Sequence, residues 1–273
     1  DNLHGANSDE EAASIITRTI DLFGRGGFSI VNWASSSRTV IKSLSPELRA
    51  KGLVSIPDDT VLPVERVLGL NWDAEDDKFV FCTNFPKVKE HVIICSRPPT
   101  RREIASLVMS IYDPLGLVAQ FTIKGRILLQ EAWLLKSGWD DAIPEDMFRK
   151  WKWWVEQLKS IVNVRVPRCY STNLGEAKNT ELHIFVDASS QAFACVAYIR
   201  VEYSTGVDMG LVLARARVAP LKPLTIPKLE LQAAVMGSRL AMTIQKEIQV
   251  PLSSRVYWSD SQTVLSWIRS EVP

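Results

Sequence analysis

The stretch ELHIFVDAS, residues 181–189, constrains this chain more than any other. It is apolar on both alternating faces, as expected of a strand inside a sheet, and it runs directly into an aspartate. Two more β-patterned stretches follow, AFACVAYIRVEY and MGLVLARARVAP. KLELQAAVMGSRLAMTIQKEI then sets Leu229, Ala233, Met236, Leu240, Ile244 and Ile248 on one helical face, with Pro227 near its start. SRVYWSD reads as a further strand and SQTVLSWI as the opening of another helix. The order β-β-β-α-β-α predicts an α/β domain built on a mixed sheet.

Three carboxylates in this region stand where folding does not need them. Asp187 ends the strand LHIFV, Glu230 is expected in the first turn of the long helix, and Asp260 closes VYW. Aspartate is disfavoured in strands, and an unpaired buried carboxylate costs several kcal/mol or shifts its pKa. A divalent cation would compensate: Mg²⁺ prefers hard oxygen ligands, and a metal pair stabilises both the attacking and leaving oxygens of a phosphodiester. Two of the three also have a plainer reading on their own. Asp260 before Ser261 suits a helix N-cap, and Glu230 suits a helix N-terminus electrostatically. Ala234, Gly237 and Ala241 form a small-residue stripe that would let the helix lie close on the sheet, favouring a shared site.

The first two-thirds of the chain has a different character. EEAASIITRTIDLFGRGGF reads as a helix ended by glycines, FSIVNWAS and SRTVIKSL as short β-like or mixed stretches, and VERVLGLNWDAEDDKFVF as two strands joined at Asp73–Asp77. From Thr100 to about residue 160 the pattern is helical, broken at Asp113-Pro114 and Gly138. VNVRVPRCYSTNLGEAKNTE is polar and irregular, and is expected to be a linker. The expected organisation is therefore 1–99, a helical 100–160, a linker at 161–180, and the α/β region at 181–273.

Composition narrows the function classes. The 273 residues carry 32 Lys+Arg against 31 Asp+Glu, so no global positive field marks a nucleic-acid partner, and any such contact must use local patches. One candidate patch is Arg215, Arg217, Lys222 and Lys228, with no acid between its first and last members; it suits phosphates or an ordinary solvated face. Trp133, Trp139, Trp151, Trp153 and Trp154 are expected mainly in a core, with base stacking as the other use. His183, on the same alternating side of its strand as Asp187, reads as structural, and His4 and His91 are scattered. The four cysteines lack zinc-ligand spacing, consistent with a reduced, intracellular protein. No apolar run reaches the about 18–20 residues that span a bilayer, so no membrane partner is expected. The absence of Asp-Thr/Ser-Gly and Gly-x-Ser-x-Gly argues against aspartic-peptidase and serine-hydrolase chemistry. With no initiator Met and an end at WIRSEVP, the chain reads as cut from a longer one.

The segments FVDASSQAFACVAYIR, ARARVAPLKPLTIPKLELQAAV and YWSDSQTVLSWI resemble the ribonuclease H domain of BEL/Pao-type LTR retrotransposon polyproteins. SIYDPLGLVAQFTIKGRILLQEAW and GWDDAIPED are similar to the segment between polymerase and ribonuclease H in that group, which carries a Pao peptidase label. GGFSIVNWASSS and VLGLNWD resemble the end of its reverse transcriptase. The resemblance covers nearly the whole chain. It implies an α/β and α+β architecture: a reverse-transcriptase palm remnant at 1–99, a helical thumb or connection at 100–160, and an incomplete ribonuclease H-like mixed-sheet domain at 181–273.

The resemblance also implies Mg²⁺-dependent hydrolysis of RNA in RNA–DNA hybrids, with Asp187, Glu230 and Asp260 as metal ligands and Glu230 towards the attacking water. The family's fourth carboxylate would fall beyond Pro273. Asp1 resembles the second aspartate of the polymerase Tyr-x-Asp-Asp turn, or in the other register Asn2 takes that place. Leu68 and Gly69 resemble the primer-grip turn that touches the primer backbone. The implied partners are an RNA–DNA hybrid or primer-template and the remainder of the Pol polyprotein, in a cytoplasmic virus-like particle. Truncated at both ends, the chain is expected to be inactive alone. A second expectation is a catalytically inert remnant that at most binds nucleic acid.

Overall fold

A computed structural model of the chain describes residues 3–54 and 60–270. The described residues fall into two compact units, one reaching to Phe81 and including Arg165–Arg168, the other made of Cys82–Val164 and the residues from Cys169 onward.

In the first unit, helix α1 (Asp9–Arg25) starts where the Ser8 side chain accepts a hydrogen bond from the Glu11 N–H, and Asp9, Glu10 and Glu11 fill its first turn. SRTVIKSL, expected as β-like or mixed, contains helix α2 (Arg38–Ser43), because Ser37 caps it and Val40 and Ile41 bury one side. The stretch read as two strands is three, β1 (Val64–Val67), β2 (Leu70–Asp73) and β3 (Lys78–Val80). Leu68 (φ 51°) and Gly69 (φ 85°) both adopt left-handed backbone and make a two-residue hairpin turn between β1 and β2. A short strand inside the expected linker, β4 (Arg165–Pro167), completes the antiparallel order β1-β2-β3-β4. The Arg165 guanidinium pairs with Asp73 and Asp76, and Arg168 grips both oxygens of Asp77 at 2.7 and 2.9 Å.

The second unit opens with α3 (Glu90–Ile93), α4 (Arg101–Ser110), α5 (Ala119–Leu134) and α6 (Glu145–Lys159). Thr100 and Glu103 form a reciprocal capping box at the start of α4. Of the five clustered tryptophans only Trp151 and Trp154 are core. Trp133, Trp139 and Trp153 are about half exposed, contrary to the core expectation, because Trp133 and Trp153 lie off the faces that α5 and α6 bury and Trp139 lies in the loop between those helices.

The same unit contains β5 (Asn179–Ala188), β6 (Ala192–Tyr203), β7 (Gly206–Val218), α7 (Ile226–Glu247), β8 (Ser254–Trp258) and α8 (Gln262–Arg269). The sheet order is β7-β6-β5-β8, antiparallel except for the parallel pair β5–β8, which is the mixed sheet expected from sequence. Strand β5 is half-buried: Leu182, Ile184 and Val186 pack inward, whereas Phe185 on the other face is 39% exposed. The apolar content of both faces therefore overstated its burial.

The Asp113-Pro-Leu-Gly turn ties the helices to this sheet. Both Asp113 oxygens accept backbone N–H groups, from Leu117 at 2.8 Å and Val118 at 2.9 Å, and the Ala214 N–H of β7 donates to the Leu115 carbonyl at 2.9 Å. Gly116 (φ 69°) lies so close to the Ala214 carbonyl that a Cβ would overlap it. Farther along, Gln130 donates to the Ala219 carbonyl at 2.7 Å.

Helix α7 buries Leu229, Ala233, Met236, Gly237, Leu240, Ala241 and Ile244 against β5 and β6. Gly237 permits the close approach that the small-residue stripe implied: a Cβ there would lie 2.5 Å from Val186 Cγ1 and 3.1 Å from Ile184 Cγ2. Gly237→Ala is expected to destabilise the protein by about 1–3 kcal/mol through overpacking, measured as a lower urea midpoint with an unchanged m-value.

Candidate metal centre

Three separate elements bring Asp187, Glu230 and Asp260 together, with one carboxylate oxygen from each lying within 4.8 Å of the others. Asp187 sits one residue before the end of β5, paired with Ala194 across the ladder, and its Oδ1 accepts the Ala188 N–H at 2.7 Å. Asp260 follows the last residue of β8 by two positions. Glu230 comes from α7, directly after Leu229, whose side chain is buried in the core.

The plainer readings of two of these residues do not survive the geometry. Ser261 caps α8, its Oγ accepting from the Val264 N–H at 3.4 Å, so Asp260 has no capping task. Glu230 is the fifth residue of α7, past the first turn, which contains no acid; proximity to the helix terminus therefore does not account for it. Asp187 and Asp260 are exposed, and only Glu230 is buried, at 7% exposure.

Glu230 is where the electrostatic tension concentrates. Its Oε2 is buried without a hydrogen-bond partner among the described residues. Burial, then the charges of Asp187 and Asp260, push its carboxyl above the ordinary value of 4.5, against a smaller opposing pull from the Ala188 N–H. Hard oxygen donors from three elements, one of them orphaned in the interior, fit a divalent cation of the Mg²⁺ type. Among the described residues no fourth His, Cys, Asp or Glu joins the group.

Asp187 and Asp260 line a groove of about 900 Å³ together with Phe185, Tyr198, Ala214, Trp258 and the start of α5. Arg215 lines the same groove, whereas Arg217, Lys222 and Lys228 do not. The sequence patch is therefore divided. All four cations are exposed, and among the described residues none has a carboxylate partner. Arg215 and Arg217 also act on Cys195, whose thiol is pushed up to about 11 by burial despite their opposing pull. Leu68 and Gly69 form the β1–β2 turn of the first unit, with Leu68 52% exposed. Asp1 and Asn2 lie outside the described residues. Sequence reasoning missed Trp258 beside the carboxylates, which only its position two residues before Asp260 marked.

Residues 100–261 match the family model described as the Pao retrotransposon-like RNaseH-like domain, and the chain belongs to that family. The match runs from the cap of α4 to the cap of α8, so it includes the helices as well as the sheet. A comparison with curated proteins finds no match. Among solved structures, the chain is similar to a foamy viral protease-reverse transcriptase dRH in complex with double-stranded DNA, at 12% identity and a TM-score of 0.39, over 75% of this chain and 32% of that one. It is also similar to a foamy viral protease-reverse transcriptase in complex with an RNA/DNA hybrid, at 14% identity and a TM-score of 0.40, over 74% and 25%. The chain thus spans a third or less of each of these proteins. In fold class it is a mixed helix-and-sheet protein with a Pao retrotransposon-like RNase H-like domain.

A raised carboxyl pKa means that the folded protein retains a proton the unfolded chain releases. Stability is therefore lost as pH rises above 4.5 through the folded value of Glu230, and it stays lost at neutral pH. In the metal-free protein Glu230→Gln is expected to raise stability at pH 7 by about 1 kcal/mol, with a smaller gain at pH 5, measured by urea unfolding in chelator.

Proposed function

We propose that the parental activity of the RNase H-like domain in this chain is metal-dependent hydrolysis of the RNA strand in RNA–DNA hybrids, with Asp187, Glu230 and Asp260 as the metal-holding residues. The observation that supports this reading is the convergence of three carboxylates, one oxygen of each within 4.8 Å of the others, together with a buried Glu230 whose Oε2 is unpartnered. Bound Mg²⁺ would supply Lewis-acid polarisation of the phosphodiester and a more acidic water. The protein's own contribution is placement. Asp187 and Asp260 face solvent, where a bulky duplex can reach them, and Glu230 is anchored from beneath by its helix. Arg215, on the groove wall, offers a guanidinium to a neighbouring phosphate. In the reaction water adds to phosphorus, one P–O bond breaks, and a proton passes to the departing oxygen. Such a site leaves the bases unread and senses the shape and 2′-hydroxyls of the hybrid.

The same reading assigns the first unit to the end of a reverse-transcriptase palm, with Leu68-Gly69 against a primer backbone, and α4–α6 to a thumb or connection. Arg217, Lys222 and Lys228 are further phosphate contacts in this proposal, and RNA-directed DNA synthesis belongs to the polyprotein as a whole. A second reading, a binding module without catalysis, is favoured by the presence of only three carboxylates in the described cluster.

The test is cleavage of a labelled RNA–DNA hybrid in Mg²⁺ and in Mn²⁺. Asp187→Asn and Glu230→Gln are each expected to lower the rate by about 100-fold or more, with the fold retained by circular dichroism. Cleavage that persists in Glu230→Gln contradicts the metal-site reading. Hybrid binding without cleavage by the unaltered chain establishes the binding module instead.

A further inference from the structure

From the geometry around β8 we infer that Trp258 and His183 are positioning residues for Asp260, fixing where its carboxylate stands in the metal centre. This rests on the metal-holding role proposed above and concerns what holds that site in shape.

Parallel pairing of β8 with β5 runs from Ser254–Glu181 to Trp258–Phe185, so Trp258 is the last residue of β8 in the ladder. Asp260 lies two residues beyond it. Among the described residues its carboxylate accepts no hydrogen bond and has no ion-pair partner, and the nearest cap, Ser261, belongs to α8. Ser259 Oγ accepts the Ser261 N–H at 3.2 Å, which turns the backbone around Asp260 locally. Where that turn sits depends on the chain's exit from the sheet.

That exit is set by the Trp258 side chain. Its indole lies parallel to Phe185, centroids 5.8 Å apart at 8°, and nearly coplanar beside His183, centroids 6.0 Å apart at 17°. Its Nε1–H donates to His183 Nδ1 at 3.0 Å. With Nδ1 accepting, the imidazole proton belongs on Nε2, which faces Glu181 Oε2 at 3.3 Å. Glu181 is itself held by Arg200 at 3.1 Å and by the Ser254 hydroxyl at 3.1 Å. Glu181, His183, Phe185 and Asp187 alternate along one face of β5, so the row that ends in one metal-site carboxylate also anchors the strand that delivers another. Trp258 nevertheless remains 48% exposed. A large aromatic half in water, yet hydrogen-bonded to one ring and parallel to another, has a use beyond filling a core.

The measurement is Mn²⁺ affinity of the full chain, by calorimetry and by loss of the free-ion EPR signal, together with the thermal midpoint of each variant in chelator. Trp258→Ala and His183→Leu are expected to weaken Mn²⁺ binding about tenfold, the lower end of what loss of a supporting group costs a metal site. His183→Asn, whose Oδ1 can still accept the indole N–H, is expected to recover most of that affinity. If Trp258→Ala does not fold, the His183→Leu and His183→Asn pair decides the matter. Wild-type affinity in folded His183→Leu overturns the inference, as does equal weakening in Leu and Asn variants that tracks only their thermal midpoints. Absence of Mn²⁺ binding by the unaltered chain instead overturns the metal-site reading beneath it.

Discussion

The close contact between α7 and the sheet is the constraint on which the proposed site depends. Gly237 lets the helix approach until a single added carbon would collide with Val186 and Ile184. At that separation Glu230, two turns earlier on the helix, is set beside the end of β5 and the exit of β8. Apolar packing of Leu229, Ala233, Leu240 and Ile244 then holds three carboxylates closer than they would choose. The core's hydrophobic free energy offsets this, and the Glu230 carboxyl is raised by its burial first and by the charges of Asp187 and Asp260 second.

A second dependence joins the helical segment to the same sheet. The Asp113-Pro-Leu-Gly turn satisfies the amino end of α5 with the Asp113 carboxylate and passes Gly116 against β7 where no side chain fits. Burial raises the Asp113 carboxyl despite those backbone donors, so the turn trades some electrostatic comfort for a fixed approach. Since the family match begins at Thr100, the helices and sheet share one evolutionary unit as well as one compact body.

Much of this was legible in the sequence. The β-β-β-α-β-α order, the face of α7 and the mixed sheet followed from periodicity, because those elements are long and their apolar residues recur at one spacing. Asp187, Glu230 and Asp260 were legible as carboxylates out of place, and the structure brings them together. Other features depended on contacts that periodicity does not encode. The Leu68-Gly69 turn split one expected strand into two, since a leucine at positive φ is not a sequence signal for a hairpin. β4 arose inside a polar stretch because Arg165 found Asp73 and Asp76 across 92 and 89 positions of chain. The tryptophans divided between core and surface because α6 buries Trp151 and Trp154 and leaves Trp153, between them, outward. Asp260 read as a cap since Ser261 beside it is equally able to cap, and only geometry separates the two.

The central claim is that Asp187, Glu230 and Asp260 form one cation site. Diffraction from crystals soaked in Mn²⁺, with data collected near the manganese absorption edge, addresses it directly. An anomalous peak is expected among the three carboxylates at about 2.0–2.3 Å from their oxygens. A well-ordered site with no peak there, at Mn²⁺ concentrations that fill other carboxylate sites on the molecule, would contradict it.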